Sequence, residues 1–125
     1  MAKILVTGNI ALDIINRVPG YPEEDQELRA TGQTVRAGGN AANTSMVLAQ
    51  LGHTVELVGN LAVDQHGDHL LHYLQQRGVG TAHCPLLRGR SPTSYITLAG
   101  DTGSRTIVHY RDLPELSPDH FPWSN

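Results

Sequence analysis

The order of apolar patterns between residues 3 and 78 constrains the fold of this 125-residue chain more than any other feature. Residues 3–8 ("KILVTG") form a short apolar run rich in β-branched residues, which is typical of a strand buried in a parallel sheet. Residues 53–60 repeat that pattern. A helical pattern ending at Gly52 precedes this second run, and another covers residues 64–78. Strands that alternate with helices predict a parallel sheet with crossover helices, which is an α/β fold.

Both helical segments have one apolar face and recognisable ends. Asp64 is placed to cap the start of the second helix, and Gly52 and Gly78 are typical helix stops. Apolar residues at helical spacing predict the faces that pack on the sheet. These are Thr44, Val47, Leu48 and Leu51 in the first helix, and Leu70, Leu71 and Leu74 in the second.

The remaining segments have strand patterns and predict a small second sheet. Residues 10–18 alternate so that Asp13 points away from the face of Leu12 and Ile14. Residues 19–27 form a turn-rich acidic loop, and residues 28–37 are a more polar strand. Three further strands are predicted at residues 81–89, 92–100 and 104–112, the last two as a hairpin, and residues 116–125 begin like a helical turn.

Composition excludes several classes of function. The net charge of −3 gives no basic face for a nucleic acid, and no apolar run approaches the roughly 18 residues that span a membrane. The N-terminus lacks the small-residue cleavage site of a signal peptide. Cys84 is the only cysteine, so an internal disulfide is impossible. We expect a cytoplasmic protein that binds neither nucleic acid nor a membrane.

The segment "RAGGNAAN", residues 36–43, is the first candidate site. Glycines allow close approach of the backbone, and carboxamides both donate and accept hydrogen bonds, which suits the hydroxyls of a neutral polyol. The segment has no lysine and does not match the phosphate-binding G-x-x-x-x-G-K-[ST] or the dinucleotide-binding G-x-G-x-x-G pattern. The alternative is that the glycines serve only tight packing and Asn40 caps the helix, and the pattern alone does not decide.

Asp13 is the second candidate, because it lies near the end of the first strand, where α/β folds bind ligands. A carboxylate there would accept hydrogen bonds from two neighbouring hydroxyls. The alternative is an exposed strand residue. His66, His69 and His72 drift around the helix axis, so they indicate a solvated face and not a metal site.

Three other features are ordinary on pattern alone. Cys84 has no nucleophile context, and the acidic run of residues 23–25 is typical of a solvated loop. Arg105 is expected to be exposed, although an arginine at a loop tip is able to reach a phosphate.

Five segments taken together resemble the N-terminal part of a ribokinase-like (PfkB) carbohydrate kinase over nearly the whole chain. They are Gly8 with Asp13, "YPEEDQELR", "RAGGNAAN", "VGNLAVDQHGDHLLHYLQQRGV" and "GSRTIVHYRDLPELSPDHF". The family signature is a glycine pair, an asparagine, one or two small residues and another asparagine. The stretch from Gly103 onward, with "LPELS", is most similar to the ketohexokinase branch.

The resemblance implies an enzyme that transfers the γ-phosphoryl group of ATP to a sugar hydroxyl with Mg²⁺. The sugar would be a ketose such as fructose, or a related sugar. The implied fold is α/β, a ribokinase-like parallel sheet with crossover helices that is incomplete in this chain, plus a small β lid. We expect the core at about residues 1–9 and 38–89 and the lid at about residues 10–37 and 90–113, with the sugar between them.

The resemblance also assigns roles to residues at matching positions. Arg105 would approach the phosphates of ATP. The lid strands would pair two subunits into a homodimer, in which Asp25 of one subunit reaches the sugar site of the other. The residues that would hold the sugar hydroxyls within one subunit are Asp13, Gly39, Asn40 and Asn43.

The catalytic base of the family comes from a later G-A-G-D motif, which this sequence does not contain. Gly100 and Asp101 do not qualify, because they lie in a hairpin loop with no helix after it. We therefore expect no catalytic residue in this chain and no kinase activity from the chain alone. One alternative is a truncated relative that binds sugar or dimerises without chemistry. Another is a stand-alone α/β domain of unrelated function.

Overall fold

The computed structural model describes residues 1–122, and Trp123 of the predicted C-terminal turn lies outside the described residues. Strands and helices alternate over the first two thirds of the chain, and a long hairpin follows. In chain order the elements are β1 (Lys3–Thr7), β2 (Ala11–Val18), β3 (Gly32–Gly38), α1 (Asn40–Gln50), β4 (Thr54–Val58), β5 (Leu61–Ala62), α2 (Gln65–Gln76), β6 (Val79–Gly80), β7 (Leu86–Leu87), β8 (Arg90–Ala99), β9 (Arg105–Asp112) and the 3₁₀ turn Pro118–His120.

A three-stranded parallel sheet in the order β1-β4-β6 forms the core, as predicted for an α/β fold. Val55 of the central strand pairs with Ile4 on one side and Val79 on the other. The prediction that residues 3–8 are buried is wrong, since Leu5 is 47% exposed. The two faces of a strand alternate, and α1 packs against β1, so one face of β1 is covered while Leu5 lies on the other.

The apolar face predicted for α1 is also wrong. Val47 is 55% and Leu51 is 64% exposed, and Thr44 is exposed as well. The buried residues of this helix are Ala41, Ala42 and Ser45. Small side chains let the helix axis come close to the sheet, so packing selects the small-residue face over the one with larger apolar groups.

The second helix follows its prediction. Asp64 is its N-cap, and the carboxylate oxygen Oδ1 accepts a hydrogen bond from Gly67 N at 2.7 Å. Leu70 and Leu74 are buried in the core, and Leu71 packs against it. They meet residues of β2 and β4 in one apolar cluster, which is made of Ile10, Leu12, Ala37, Ala41, Ala42, Leu57, Leu61, Leu70, Leu74, Val79 and Cys84.

A four-stranded sheet in the order β3-β2-β8-β9 confirms the predicted second sheet and hairpin. Strand β2 is antiparallel to β3 and parallel to β8, and β8 is antiparallel to β9. We call this four-stranded sheet the lid sheet. The strand predicted at residues 81–89 is shortened to β7, which does not join the lid sheet. It pairs with β5 instead, because Leu61 N donates to Pro85 O and Val63 N donates to Leu87 O.

The start of β8 is joined to the start of α2 by Asp64. Ser91 Oγ donates to Oδ1 of Asp64 at 2.6 Å, and Ser91 N donates to Oδ2 at 2.8 Å. One carboxylate therefore caps a core helix and also fixes the base of a lid strand.

The last element of the described residues is the predicted helical turn. Ser117 Oγ accepts from Asp119 N at 3.3 Å, and Pro118 follows at the first position of the turn. No helix within residues 1–122 is long and apolar enough to cross a membrane.

Candidate functional site

The site begins at Gly39, where strand β3 passes into helix α1. Gly39 has φ 89° and ψ 150°, a conformation that L side chains rarely adopt. A Cβ placed there would lie 2.5 Å from the Asn9 carbonyl oxygen. The glycine therefore allows the backbone leading into α1 to lie directly against the turn between β1 and β2.

Asn40 ties that same turn to the helix. Its Oδ1 accepts hydrogen bonds from Asn9 N at 3.1 Å and from Ala41 N at 2.7 Å. Asn40 is the first residue of α1, and the N-cap residue is Gly39, which has no side chain to cap the helix. The alternative prediction that Asn40 is the N-cap is therefore wrong. The Nδ2 group has no hydrogen-bond partner within residues 1–122, which leaves two donors for a ligand.

Asp13 lies beside this backbone on strand β2. A Cβ on Gly38 would overlap its carboxylate, so the glycine pair is needed at both positions. The side chain is only 13% exposed, and Arg36 Nε lies 3.9 Å from Oδ2. Burial raises the pKa of Asp13, and the charges of Arg36, His109 and Arg105 oppose that shift.

A polar row crosses the lid sheet from Asp13. Asp13 pairs in register with Arg36 on one side and Ser94 on the other, and Ser94 pairs with His109. Paired residues share a face of a sheet, so the four side chains lie on one side of the lid sheet. Ser94 Oγ and His109 Nδ1 are 2.9 Å apart and hydrogen-bonded.

The lid sheet and the start of α1 enclose a cleft of about 460 Å³. Gly39 and Asn40 lie on one wall, and Ser94 and His109 lie on the other. This volume fits a small polar molecule of monosaccharide size. The lining residues are Gly8, Asn9, Ile10, Ala11, Gly39, Asn40, Asn60, Pro92, Ser94, His109, Arg111, Leu113, Pro114, Glu115 and Leu116.

Asp13 and the other predicted site residues are not among the residues that line this cleft. Asn43 is exposed on the first turn of α1 and borders a separate depression with Arg36, Tyr73 and Arg77. Arg105 pairs with Leu98, four residues along β8 from Ser94, which is about 13 Å along the strand. Asp25 is at an exposed turn (φ 65°) of the loop between β2 and β3.

Sequence reasoning missed Asn60, His109 and Arg111 as residues of the cleft. The alternation within β9 was a signal that His109 and Arg111 share a face. Which face meets the core depends on the register between β2 and β8, which are about 80 residues apart in sequence, so no local pattern could reveal it.

Cys84 and two of the three α2 histidines have structural partners, and His72 is exposed. His66 Nδ1 lies 3.2 Å from Thr93 Oγ1, and His69 stacks on the ring of Tyr73. Cys84 is buried and donates its thiol to Leu57 O at 3.2 Å. Burial raises the pKa of Cys84, which disfavours the thiolate that a nucleophile needs. Within residues 1–122, no group of three or more acidic, histidine or cysteine side chains is placed to hold a metal ion.

Comparisons with known proteins identify the family of this chain, a relative of similar sequence and solved structures of similar fold. The family described as pfkB family carbohydrate kinase matches residues 1–123. The chain is 39% identical over 121 residues to the ketohexokinase of Mus musculus, an alignment that covers 95% of this chain and 41% of that protein. The chain therefore spans about two fifths of the length of this curated relative.

Two solved structures have the same fold over most of this chain. The ribokinase from Cryptococcus neoformans var. grubii serotype A, in complex with ADP, has a TM-score of 0.69 and 29% identity, covering 90% of this chain and 35% of that chain. The ribokinase from Thermotoga maritima has a TM-score of 0.80 and 20% identity, covering 98% of this chain and 41% of that chain.

Proposed function

Because this chain belongs to the pfkB family of carbohydrate kinases, we propose that it forms the sugar-binding part of an ATP-dependent sugar kinase. The family and the ribokinase-like α/β fold were both predicted from the sequence and are confirmed. The observation that supports the proposal most is the cleft in which Gly39 and Asn40 face Ser94 and His109 of the lid sheet.

The sugar lies between the lid sheet and the start of α1 in this proposal. Asn40 donates through its free Nδ2 group, and Asp13 accepts hydrogen bonds from neighbouring hydroxyls once the lid closes over the ligand. Asn43 is one turn along α1 from Asn40, in the depression that Arg36 also lines, and in this proposal it reaches the ligand from the side of Arg36 and Asp13. A ketose such as fructose is the substrate class that the ketohexokinase likeness supports.

The same proposal includes a homodimer formed through the lid. Asp25 lies at an exposed turn of the loop between β2 and β3, away from the residues that line its own chain's cleft. A role in sugar binding therefore requires Asp25 to act on the cleft of a second copy. Paired lids would also cover apolar side chains on one face of the lid strands, including Tyr95 and Val108, which pair in register and are 49% and 67% exposed.

Phosphoryl transfer itself is not assigned to any residue of this chain. The sequence holds no G-A-G-D motif, and residues 1–122 contain no cluster that fits Mg²⁺. Arg105 is the one residue here proposed to meet ATP phosphates, through its guanidinium donors. Asp13 is a sugar ligand and not the base in this proposal. ATP and Mg²⁺ are therefore cofactors of the whole kinase, which we place in the cytoplasm, and the chain alone is proposed to be inactive.

Two assays on the purified chain test the proposal. Calorimetric titration with D-fructose is expected to show saturable binding that Asp13→Asn weakens. The control Asn16→Ala should bind as the wild type does, because Asn16 lies on the opposite face of β2 and contacts Gln33. Absence of sugar binding would contradict the proposed site. Incubation with fructose, ATP and Mg²⁺ should give no sugar phosphate by ³¹P NMR, and any such product would contradict the proposed inactivity.

A further inference from the structure

Arg111 lies in the cleft and has no role in the function proposed above. It is two residues beyond His109 on β9, so both side chains lie on the same face of the lid sheet, about 7 Å apart along the strand. Both line the cleft that Asn40 borders from the opposite wall. Within residues 1–122, Arg111 is the only lysine or arginine that lines this cleft.

The guanidinium of Arg111 is loosely held. Its partner is Glu115, with Nη2 3.5 Å from Oε2, and the Glu115 side chain is 90% exposed. An exposed ion pair of this kind contributes little to stability, and it occupies only part of a group with five N–H donors. Glu115 is also the only carboxylate among the cleft-lining residues described. A ligand anion is able to replace Glu115 without any buried pair being broken.

Asn60 adds a second polar group of the cleft whose hydrogen bonding is incomplete. It lines the same cleft, and its Nδ2 donates to Pro114 O at 2.7 Å. Its Oδ1 is buried and has no partner within the described part of the chain. Such an acceptor is costly unless a donor reaches it, and a ligand hydroxyl is a suitable donor.

We propose that this cleft selects a sugar with an anionic substituent, which Arg111 binds in place of Glu115. The inference rests on the proposed function and narrows its substrate class. Asn40 and Asn60 hold hydroxyls, and Arg111 makes paired hydrogen bonds to a carboxylate or a phosphate, the two groups that match its planar fork. A sugar acid and a sugar phosphate share this chemistry, so both belong in the test.

The test is calorimetric titration of the chain with three probes, which are D-fructose, D-gluconate and D-fructose 6-phosphate. We expect at least one acidic probe to bind about tenfold more tightly than fructose, as one additional charge-assisted contact would give. Whether gluconate or the phosphate binds identifies the source of the anion. The preference should disappear in Arg111→Gln, partly return in Arg111→Lys, and persist in the control Arg88→Gln, an exposed arginine outside the cleft.

Three results would overturn the inference in distinguishable ways. Fructose that binds as tightly as both acidic probes would leave the sugar site intact and refute the anionic specificity. If Arg111→Gln still binds an acidic probe more tightly than fructose, a residue other than Arg111 binds the anion. If no probe binds, the proposed sugar site fails together with the inference. Circular dichroism of each variant verifies folding, and the exposed position of Arg111 predicts no loss of structure.

Discussion

At the scale of single residues, the surroundings of Asp13 suit ligand binding more than the stability of the fold. It is largely buried beside Gly38, and burial raises the pKa of its carboxyl. A carboxylate whose pKa is raised in the fold destabilises the folded state when ionised, and that penalty disappears as the pH falls through the raised pKa. Nearby positive charge from Arg36 offsets part of the penalty. A largely buried carboxyl with a raised pKa and a positive charge beside it is typical of a binding site.

Replacing Arg36 should therefore raise the pKa of Asp13 further. In Arg36→Gln the favourable charge is lost while the burial of Asp13 remains, so the carboxyl should titrate at higher pH than in the wild type. A pH titration of the Asp13 carboxyl carbon by NMR measures this. Arg17→Gln is the matched control, because Arg17 bonds Thr34 farther along the lid sheet and should leave the titration unchanged. An equal or lower pKa in Arg36→Gln would refute this electrostatic account.

Asp64 presents the opposite case. Burial by itself would raise its pKa, but the hydrogen bonds from Ser91 and Gly67 outweigh burial and lower the pKa below the ordinary value of 3.8. The lowered pKa gives stability that is fully present above the ordinary value and is lost as the pH falls through the folded value. Asp64→Ala should cost about 1–2 kcal/mol at pH 7 from the lost helix cap alone.

Urea unfolding at a series of pH values measures this difference in the free energy of unfolding. The gap between wild type and Asp64→Ala should stay constant from pH 7 to 5 and narrow below about pH 4, the range that the lowered pKa defines. A control, Asp68→Ala, removes an exposed carboxylate of the same helix turn. A gap that widens on acidification would contradict the assigned direction of the pKa shift.

At the scale of elements, patterns along the sequence predicted the strands and helices better than their faces. The lid hairpin and α2 follow their local signals, a glycine-rich turn and an Asp64 cap with a leucine stripe. In α1 the larger apolar residues misled the prediction, because Ala41 and Ala42 pack on the sheet and Val47 does not. Close packing depends on how well the helix surface fits the sheet surface, and a count of apolar residues does not measure that fit.

Substitutions on the two helices test the corrected face of α1. Val47→Gln should change the free energy of unfolding by no more than about 0.5 kcal/mol, since Val47 is mostly exposed. Leu74→Ala, which removes a fully buried side chain of α2, should cost about 2–5 kcal/mol. Chemical denaturation compares both with the wild type. If Val47→Gln lowers the free energy of unfolding as much as Leu74→Ala does, the buried face of α1 is the one predicted from the sequence.

At the scale of the whole molecule, the family and the glycine–asparagine segment could be predicted from the sequence, while the opposite wall of the cleft could not. Gly39 and Asn40 are adjacent in the chain and match a family signature. Ser94, His109 and Arg111 meet them only because β8 pairs with β2, which brings the distant hairpin over α1. Membership of the pfkB carbohydrate kinase family also counts against the alternative of a stand-alone α/β domain of unrelated function.

The measurement that tests the central claim most directly is a map of ligand binding on the chain by ¹H–¹⁵N NMR. D-Fructose and D-fructose 6-phosphate are added in turn, and the backbone amides are followed. A sugar site between α1 and the lid sheet predicts saturable shifts at Gly39, Asn40 and Ser94. Amides of residues 51–54, at the other end of α1 and outside the residues that line either depression, serve as an internal control. Shifts absent from both walls of the cleft, with either sugar, would contradict the account.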